Sequence, residues 1–243
     1  MGKNELQFDE KRHLYTLGGK PLTGCTTILS VISKPALINW ASNMAVDHIQ
    51  KHLKGHRLSE ADYEEVLAEA RKAYARKRDK AGDIGTSVHL VISEIIHKTD
   101  ILKNLKSYQE LDKQGQKMVQ NFINWAKENK VKFLESERRV YSEKHWFAGT
   151  YDFLCEIDGK TWLGDIKTSS GIYPEMFFQC AGYQICEEEM DPKVKIDGHI
   201  IVNLKKDGTI NEKRSINNKQ NKKAFLSALC LYKTLQKVNN DTL

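Results

Sequence analysis

The sequence contains no apolar run approaching the roughly 20 residues that a membrane-spanning helix requires. Its first dozen residues, Met1 to Arg12, are charged where a secretory signal would be apolar. Neither a membrane partner nor export is expected. No Ser-rich, Pro-rich or repeated segment occurs, which argues against long disorder. Cysteine is sparse and scattered: Cys25, Cys155, Cys180, Cys186 and Cys230 are odd in number and contain no Cys-x-x-Cys pair. That fits a reducing compartment better than a disulfide framework and offers no paired cysteines for a zinc site. Cys180 and Cys186 are expected to be core residues of a helix.

What is present is a chain of 243 residues with 40% hydrophobic content, enough for one substantial core. We expect a single domain over 1–243, with 1–80 an N-terminal hairpin and helical region and 81–243 the core. The formal charge of +6 is compatible with a polyanionic partner, although a modest basic excess is common elsewhere.

The apolar pattern predicts a hairpin turning at Gly18-Gly19 and a helix from Pro35 to about Leu53. Ser59 and Asp62 resemble an N-terminal cap for a second helix, whose far end carries Arg71, Lys72, Arg76, Lys77, Arg78 and Lys80. That basic run is either a solvated face or a grip on a phosphate backbone. The next helix, about Ile84 to Lys98, buries Ile84, Val88, Val91, Ile92 and Ile95 and leaves His89 at the rim of the stripe. A helix over about Tyr108 to Asn129 follows. The period then changes to two over Val131–Tyr141, Phe147–Ile157 and Lys160–Thr168, predicting three successive strands. Pro174 opens a helix to about Met190, Lys195 to Leu204 reads as a strand, Asp207-Gly208 turns into a short fifth strand, and Asn217 to Val238 closes as a helix.

The chemistry concentrates around Asp158-Gly159, a two-residue loop that specifies a tight hairpin with both residues at positive φ. If Ile157 pairs with Lys160, Asp152 falls opposite Asp165 and Thr150 opposite Lys167. Directly opposed carboxylates, with Cβ atoms about 4.5–5.5 Å apart, repel unless something neutralises them. A divalent cation would. Alternation also places Lys167 on the face of Asp165, and hard oxygen ligands favour magnesium or manganese over zinc. A lysine beside such an ion can stabilise a pentavalent phosphorus or help deprotonate an attacking water. An isolated Asp-x-Lys tripeptide is more often an exposed polar stripe, so the surrounding sequence has to decide.

That surrounding sequence resembles the PD-(D/E)XK nuclease superfamily, particularly its RecB-like and phage-exonuclease branch. Gly85-Thr86-Ser87-Val88-His89 is similar to the branch's helical histidine motif, and Glu137 to its acidic residue on the first strand. Gly149-Thr150-Tyr151-Asp152 resembles the first metal aspartate motif, Asp165-Ile166-Lys167-Thr168-Ser169 the D/E-x-K core, and Gln179 to Tyr183 the QxxxY motif on the following helix. The resemblance covers about residues 80 to 205. Relatives often place a glutamate four residues after the histidine. Here that position is Ser93, so no role passes to Glu94.

The resemblance implies an α/β (α+β) fold: a restriction-endonuclease-like core with a mixed central sheet flanked by helices and an N-terminal helical elaboration. It implies that His89, Asp152, Asp165 and the backbone carbonyl of Ile166 bind Mg2+, with Mn2+ as a substitute, and that no iron–sulfur cluster is held. Lys167 would assist the nucleophilic water, Glu137 would support a ligand or a second ion, and Gln179 and Tyr183 would position the DNA and the lysine. For Glu137, an ion pair with Arg138 or Arg139 is the competing reading. The implied activity is a Mg-dependent deoxyribonuclease, an exonuclease in recombination, repair or phage DNA processing, in a bacterial or phage-infected host cytoplasm. A homo-oligomer or a recombination partner protein is compatible with it. A catalytically inactive DNA-binding protein on the same fold and a site-specific endonuclease stay open as alternatives.

Overall fold

A computed structural model describes residues 5–54, 59–97 and 105–241. These form two compact units, one of residues 33–86 and one of residues up to 32 together with those from 87 onward. The second of these carries the sheet.

The sheet has eight strands, β1 (Leu6–Asp9), β2 (Leu14–Leu17), β3 (Lys20–Gly24), β4 (Lys132–Ser142), β5 (Phe147–Ile157), β6 (Lys160–Lys167), β7 (Gly198–Leu204) and β8 (Ile210–Ser215). It is mixed: β3 pairs parallel with β5 and β6 parallel with β7, while the remaining pairs are antiparallel. Helices flank it, namely α1 (Cys25–Ile28), the end of α3 (Glu60–His97), α4 (Lys106–Glu110), α5 (Lys113–Glu128), α6 (Pro174–Met190) and α7 (Asn218–Asp241). The architecture is therefore a mixed α/β one, as expected. Among the described residues no helix is long and apolar enough to cross a membrane.

Turn chemistry sets the register. Gly18 and Gly19 both take positive φ between β2 and β3, and Asp158 (φ 51°) and Gly159 (φ 71°) do so between β5 and β6. Ile157 pairs with Lys160, and the predicted register holds through Phe153 and Gly164. Pro174 lies in the first turn of α6, which ends at Met190 as expected.

The helices depart from expectation in two places. Two were expected between Ser59 and Lys98; instead α3 runs uninterrupted through Gly82 and Gly85, since no proline intervenes and each glycine costs only about 1 kcal/mol in a helix interior. Its start is the expected cap: Asp62 N–H donates to Ser59 Oγ (3.2 Å), and Ser59 N–H and Oγ donate back to the Asp62 carboxylate. The helix expected over Tyr108 to Asn129 is divided, because Asp112 caps α5 by accepting from Gly115 N–H at 2.7 Å.

In the smaller unit, α2 (Pro35–Leu53) and the first part of α3 meet through an edge-to-face contact of Trp40 with Tyr74 at 5.0 Å. In the larger unit, the N-terminal hairpin, grouped with the helical region on sequence grounds, extends the sheet through Thr23 and Gly24 beside Phe147 and Ala148. One core cluster joins Cys25, Ile28, Val140, Phe147, Tyr151, Cys180, Tyr183, Cys186 and Phe225 from α1, β4, β5, α6 and α7. Cys180 and Cys186 are thus core residues of α6. Behind the sheet, Phe122 and Trp125 of α5 pack with Phe133 and Phe153.

Gly149 is where α6 approaches β5 most closely: a Cβ there would overlap the Tyr183 ring and lie 3.1 Å from Cys25 Sγ. Tyr183 is only 4% exposed and has nowhere to retreat. Gly149→Ala is expected to cost about 2 kcal/mol, within the usual range for overpacking, and to lower Tm by roughly 4–8 °C in a chain of this size. Calorimetric melting measures it; an unchanged Tm would show that the ring is not held as described.

Candidate metal centre

A strand has two edges, and β5 uses one of them along its whole length for β4. The other is shared: β6 pairs with Phe153 to Ile157, and β3 with Phe147 and Ala148. Between these partners β5 runs unpaired on that edge from Gly149 to Asp152, and the end of β6 forks away from it while its opposite edge stays paired with β7. Asp152 stands at the fork. Its Oδ2 accepts the backbone N–H of Ile166 in a short hydrogen bond, so the side chain takes over where the ladder ends.

The expected direct opposition of Asp152 and Asp165 is therefore modified. The ladder stops one pair short, so Asp165, Ile166 and Lys167 keep only the pairing on the opposite edge of β6, with Ile201, Val202 and Asn203 of β7. Thr150 does not face Lys167; its Oγ1 lies 2.9 Å from Tyr15 Oη of the N-terminal hairpin. Alternation is also broken beside Asp152, because Tyr151 and Leu154 join the cluster of α6 and α7 while Phe153 meets α5.

On β4 the matching irregularity is Glu137, between the pairs Ser136–Phe153 and Arg138–Tyr151 and at φ 49°. A left-handed conformation costs a non-glycine residue about 1–3 kcal/mol, and such strain gathers at functional positions. It turns the Glu137 carboxylate to Asp152. The competing ion pairs go elsewhere: Arg138 binds the buried Glu187 at 3.0 Å, and Arg139 lies 3.5 Å from Glu10.

The third side chain comes from α3, where Val88, Val91 and Ile92 are buried and His89 sits at the rim of the stripe, as expected. His89 Nδ1 lies 3.4 Å from Asp152 Oδ1. His89, Glu137 and Asp152 offer three ligand atoms that all lie within 4.8 Å of one another, so one ion could touch all three. Two carboxylate oxygens and an imidazole nitrogen are ligand types that a divalent cation accepts.

Asp165 and Lys167 lie beside this triad. Asp165 is 2% exposed; its Oδ2 is ion-paired with Lys167 Nζ, and its Oδ1 accepts from Gln179 Nε2 at 3.2 Å. Gln179 Nε2 also donates to Tyr183 Oη at 2.6 Å, so the i,i+4 pair on α6 forms one bracket on the aspartate. Because Tyr183 is buried, it acts through Gln179 and not by meeting a ligand. Asn203, wholly buried and paired with Lys167, donates to Ser169 O at 3.0 Å and fixes the chain leaving the lysine. Sequence reading did not single out Asn203. The cue available was a polar residue within the apolar run of β7. Glu94, given no role, accepts from Ser107 Oγ at 2.6 Å.

The charges are interdependent. Burial and the neighbouring Asp152 push Glu137 up to about 7. Burial also raises Asp165, with Asp152 adding to it and Lys167 opposing. For Asp152, burial raises the pKa, but His89, Lys167 and the Ile166 N–H outweigh it and hold the group below the usual carboxylate range. His89 and Lys167 both lose stability as cations through burial, yet the aspartates raise both. In this charge state Lys167 is a firmly protonated ammonium.

The basic residues Arg71, Lys72, Arg76, Lys77, Arg78 and Lys80 belong to the smaller unit and are exposed. Glu69 pairs with Lys72 and Arg76, Arg78 pairs with Asp79, and Lys77 Nζ lies 3.2 Å from Met44 Sδ. Much of that run therefore has local partners on a solvated face.

No family model matches the sequence, and no curated protein does. Among solved structures the chain is similar to one described as the crystal structure of SSO0001, at 14% identity over 79% of this chain and 86% of that one, with a TM-score of 0.32. A likeness at that level carries no argument about fold or function.

The raised pKa of Glu137 has a defined consequence for stability. A carboxyl that binds its proton more tightly when folded contributes stability below its unfolded pKa and loses it as pH rises through the folded value. Metal-free protein should therefore lose stability between about pH 4.5 and pH 7, by on the order of 1 kcal/mol from this exposed side chain after solvent screening. Glu137→Gln should flatten that loss, and manganese should raise the Tm of the wild type near pH 8 more than that of the variant. Melting curves with and without the ion test this; an identical manganese response in both proteins would remove Glu137 from the site.

Proposed function

We propose that the protein is a divalent-cation-dependent nuclease of the PD-(D/E)XK type. It hydrolyses DNA phosphodiester bonds, acting as an exonuclease in recombination, repair or processing of phage DNA. The observation that carries the reading is the convergence of His89, Glu137 and Asp152, within 4.8 Å, beside a buried Asp165–Lys167 ion pair at the end of β6. Asp165 and Lys167 lie at the carboxyl end of β6, which runs parallel to β7. The order of the sequence motifs along the chain supports the family reading.

When bound, a magnesium or manganese ion would supply charge stabilisation at the phosphoryl oxygens and would acidify an attacking water. The chain's own groups do the rest. His89, Glu137 and Asp152 would hold the ion, and the family resemblance implies Asp165 and the Ile166 carbonyl as its further oxygen ligands. Asp152 keeps its geometry through the Ile166 N–H. Gln179 prevents Asp165 from rotating. Lys167, held as an ammonium, faces the negative charge that accumulates on phosphorus in the transition state and can donate a proton to the leaving oxygen. As an ammonium the same side chain can also orient the attacking water by donating a hydrogen bond to its oxygen.

End-labelled single- and double-stranded DNA should be degraded in the presence of magnesium or manganese and not in a chelator. Asp165→Ala and Lys167→Met should each lower the rate at least about 10³-fold, the scale on which transition-state charge stabilisation is lost. A folded wild type that leaves every substrate intact overturns the reading. Binding without cleavage and without need for a divalent ion would mark a DNA-binding protein, and discrete internal cuts an endonuclease.

A further inference from the structure

The metal centre continues along the sheet into a second group of side chains. Two residues beyond Glu137 on β4 is Arg139, and two before Asp152 on β5 is Thr150; these two are direct cross-strand partners. They sit about 7 Å from the Glu137 and Asp152 positions, two residues at 3.4 Å each along a strand. The N-terminal hairpin lines this ground. The Arg139 guanidinium lies over the Phe8 ring at 5.1 Å, and Thr150 Oγ1 is 2.9 Å from Tyr15 Oη. The Phe8 and Tyr15 rings pack against each other, tilted by 31° with centroids 4.4 Å apart.

Arg139 differs from the other cations of the site. His89 and Lys167 are committed to Asp152 and Asp165, both largely buried. Arg138, on the other side of the strand, is committed to the buried Glu187. Arg139 is 46% exposed, and its carboxylate partner, Glu10 at 3.5 Å, is 81% exposed on a turn. Such surface pairs are worth about 0–1 kcal/mol and are readily exchanged for a stronger anion. The stacked ring meanwhile keeps the planar guanidinium oriented, which suits two-pronged binding of a phosphate.

Resting on the nuclease reading, we propose that Arg139, stacked on Phe8, binds the phosphate next to the one cleaved, so that a nucleic-acid strand lies along β4 and β5 from the metal centre towards the N-terminal hairpin. The two-residue step along the strand is comparable with the spacing of neighbouring phosphates in one nucleic-acid strand. The bound group is either an internal phosphodiester or a terminal phosphate monoester. An exonuclease that binds the latter would recognise phosphorylated ends.

The test is binding, measured apart from catalysis. Fluorescent single-stranded oligonucleotides with 5′-phosphate, 5′-hydroxyl or 3′-phosphate ends are titrated with the full chain in calcium, over a range of salt concentrations. Arg139→Ala should weaken binding about tenfold and reduce the dependence on salt by about one phosphate contact. Arg139→Lys, which keeps the charge but not the fork, should recover the salt dependence and only part of the affinity. Phe8→Leu, which removes the ring and keeps an apolar side chain, should give a smaller loss. A deficit confined to one phosphorylated end assigns the monoester, and a deficit on all three assigns the internal phosphodiester. Equal affinity and salt dependence for Arg139→Ala and wild type, with the variant's Tm unchanged, overturns the proposal. A wild type that binds but does not cleave with magnesium overturns the nuclease reading alone, and one that binds no oligonucleotide overturns both.

Discussion

The arrangement depends on one constraint: β5 has one full-length partner and two partial ones, and Asp152 fills the place where the second ladder ends. A backbone N–H left unpaired inside a sheet carries a penalty comparable to a lost hydrogen bond. The Ile166 N–H avoids it by donating to the Asp152 carboxylate. The same bond locks an acidic side chain against the strand that carries Asp165 and Lys167. Glu137 answers from the other side of β5, where its left-handed backbone turns the carboxylate inward. The irregularities of β4 and β5 are therefore one feature, and the site is the result.

Around that fork the electrostatics are held in balance by neighbours on different elements. Three acids gather where burial disfavours their charge, and only Asp152, with His89, Lys167 and an N–H directed at it, is held in the ionised form. The other two retain protons more tightly than they would in water. A cation there would release those protons, so metal affinity and pH are linked through the same groups. The α6 bracket of Gln179 and Tyr183, seated against Gly149, keeps the ensemble from relaxing apart.

Much of this was legible in the sequence where local rules act alone. Asp158-Gly159 specified a turn and with it five cross-strand pairs, Pro174 specified the start of α6, and the i,i+4 spacing of Gln179 and Tyr183 placed them on one face. The rim position of His89 followed from the apolar stripe of its helix. What escaped depended on contacts between distant segments. The ladder ends at Phe153 although β6 stays paired with β7 along its opposite edge, and no property of Asp152 itself announces it. Glu137 entered the triad through a positive φ that its residue type disfavours. The hairpin's place beside β5, and with it the setting of Arg139, rests on a short parallel pairing of Thr23 and Gly24 that has no pattern of its own. The buried link from Gln184 through His199 to Asn221 joins α6, β7 and α7, and was equally invisible to periodicity.

His89, Glu137 and Asp152 bring three ligand atoms close enough at the fork to share one divalent ion. A crystal soaked in manganese, with data collected for the anomalous signal of that element, tests it most directly. A single strong peak is expected between the His89 imidazole and the Glu137 and Asp152 carboxylates, lost in Asp152→Ala. A peak elsewhere on the molecule with none among these three side chains would contradict it.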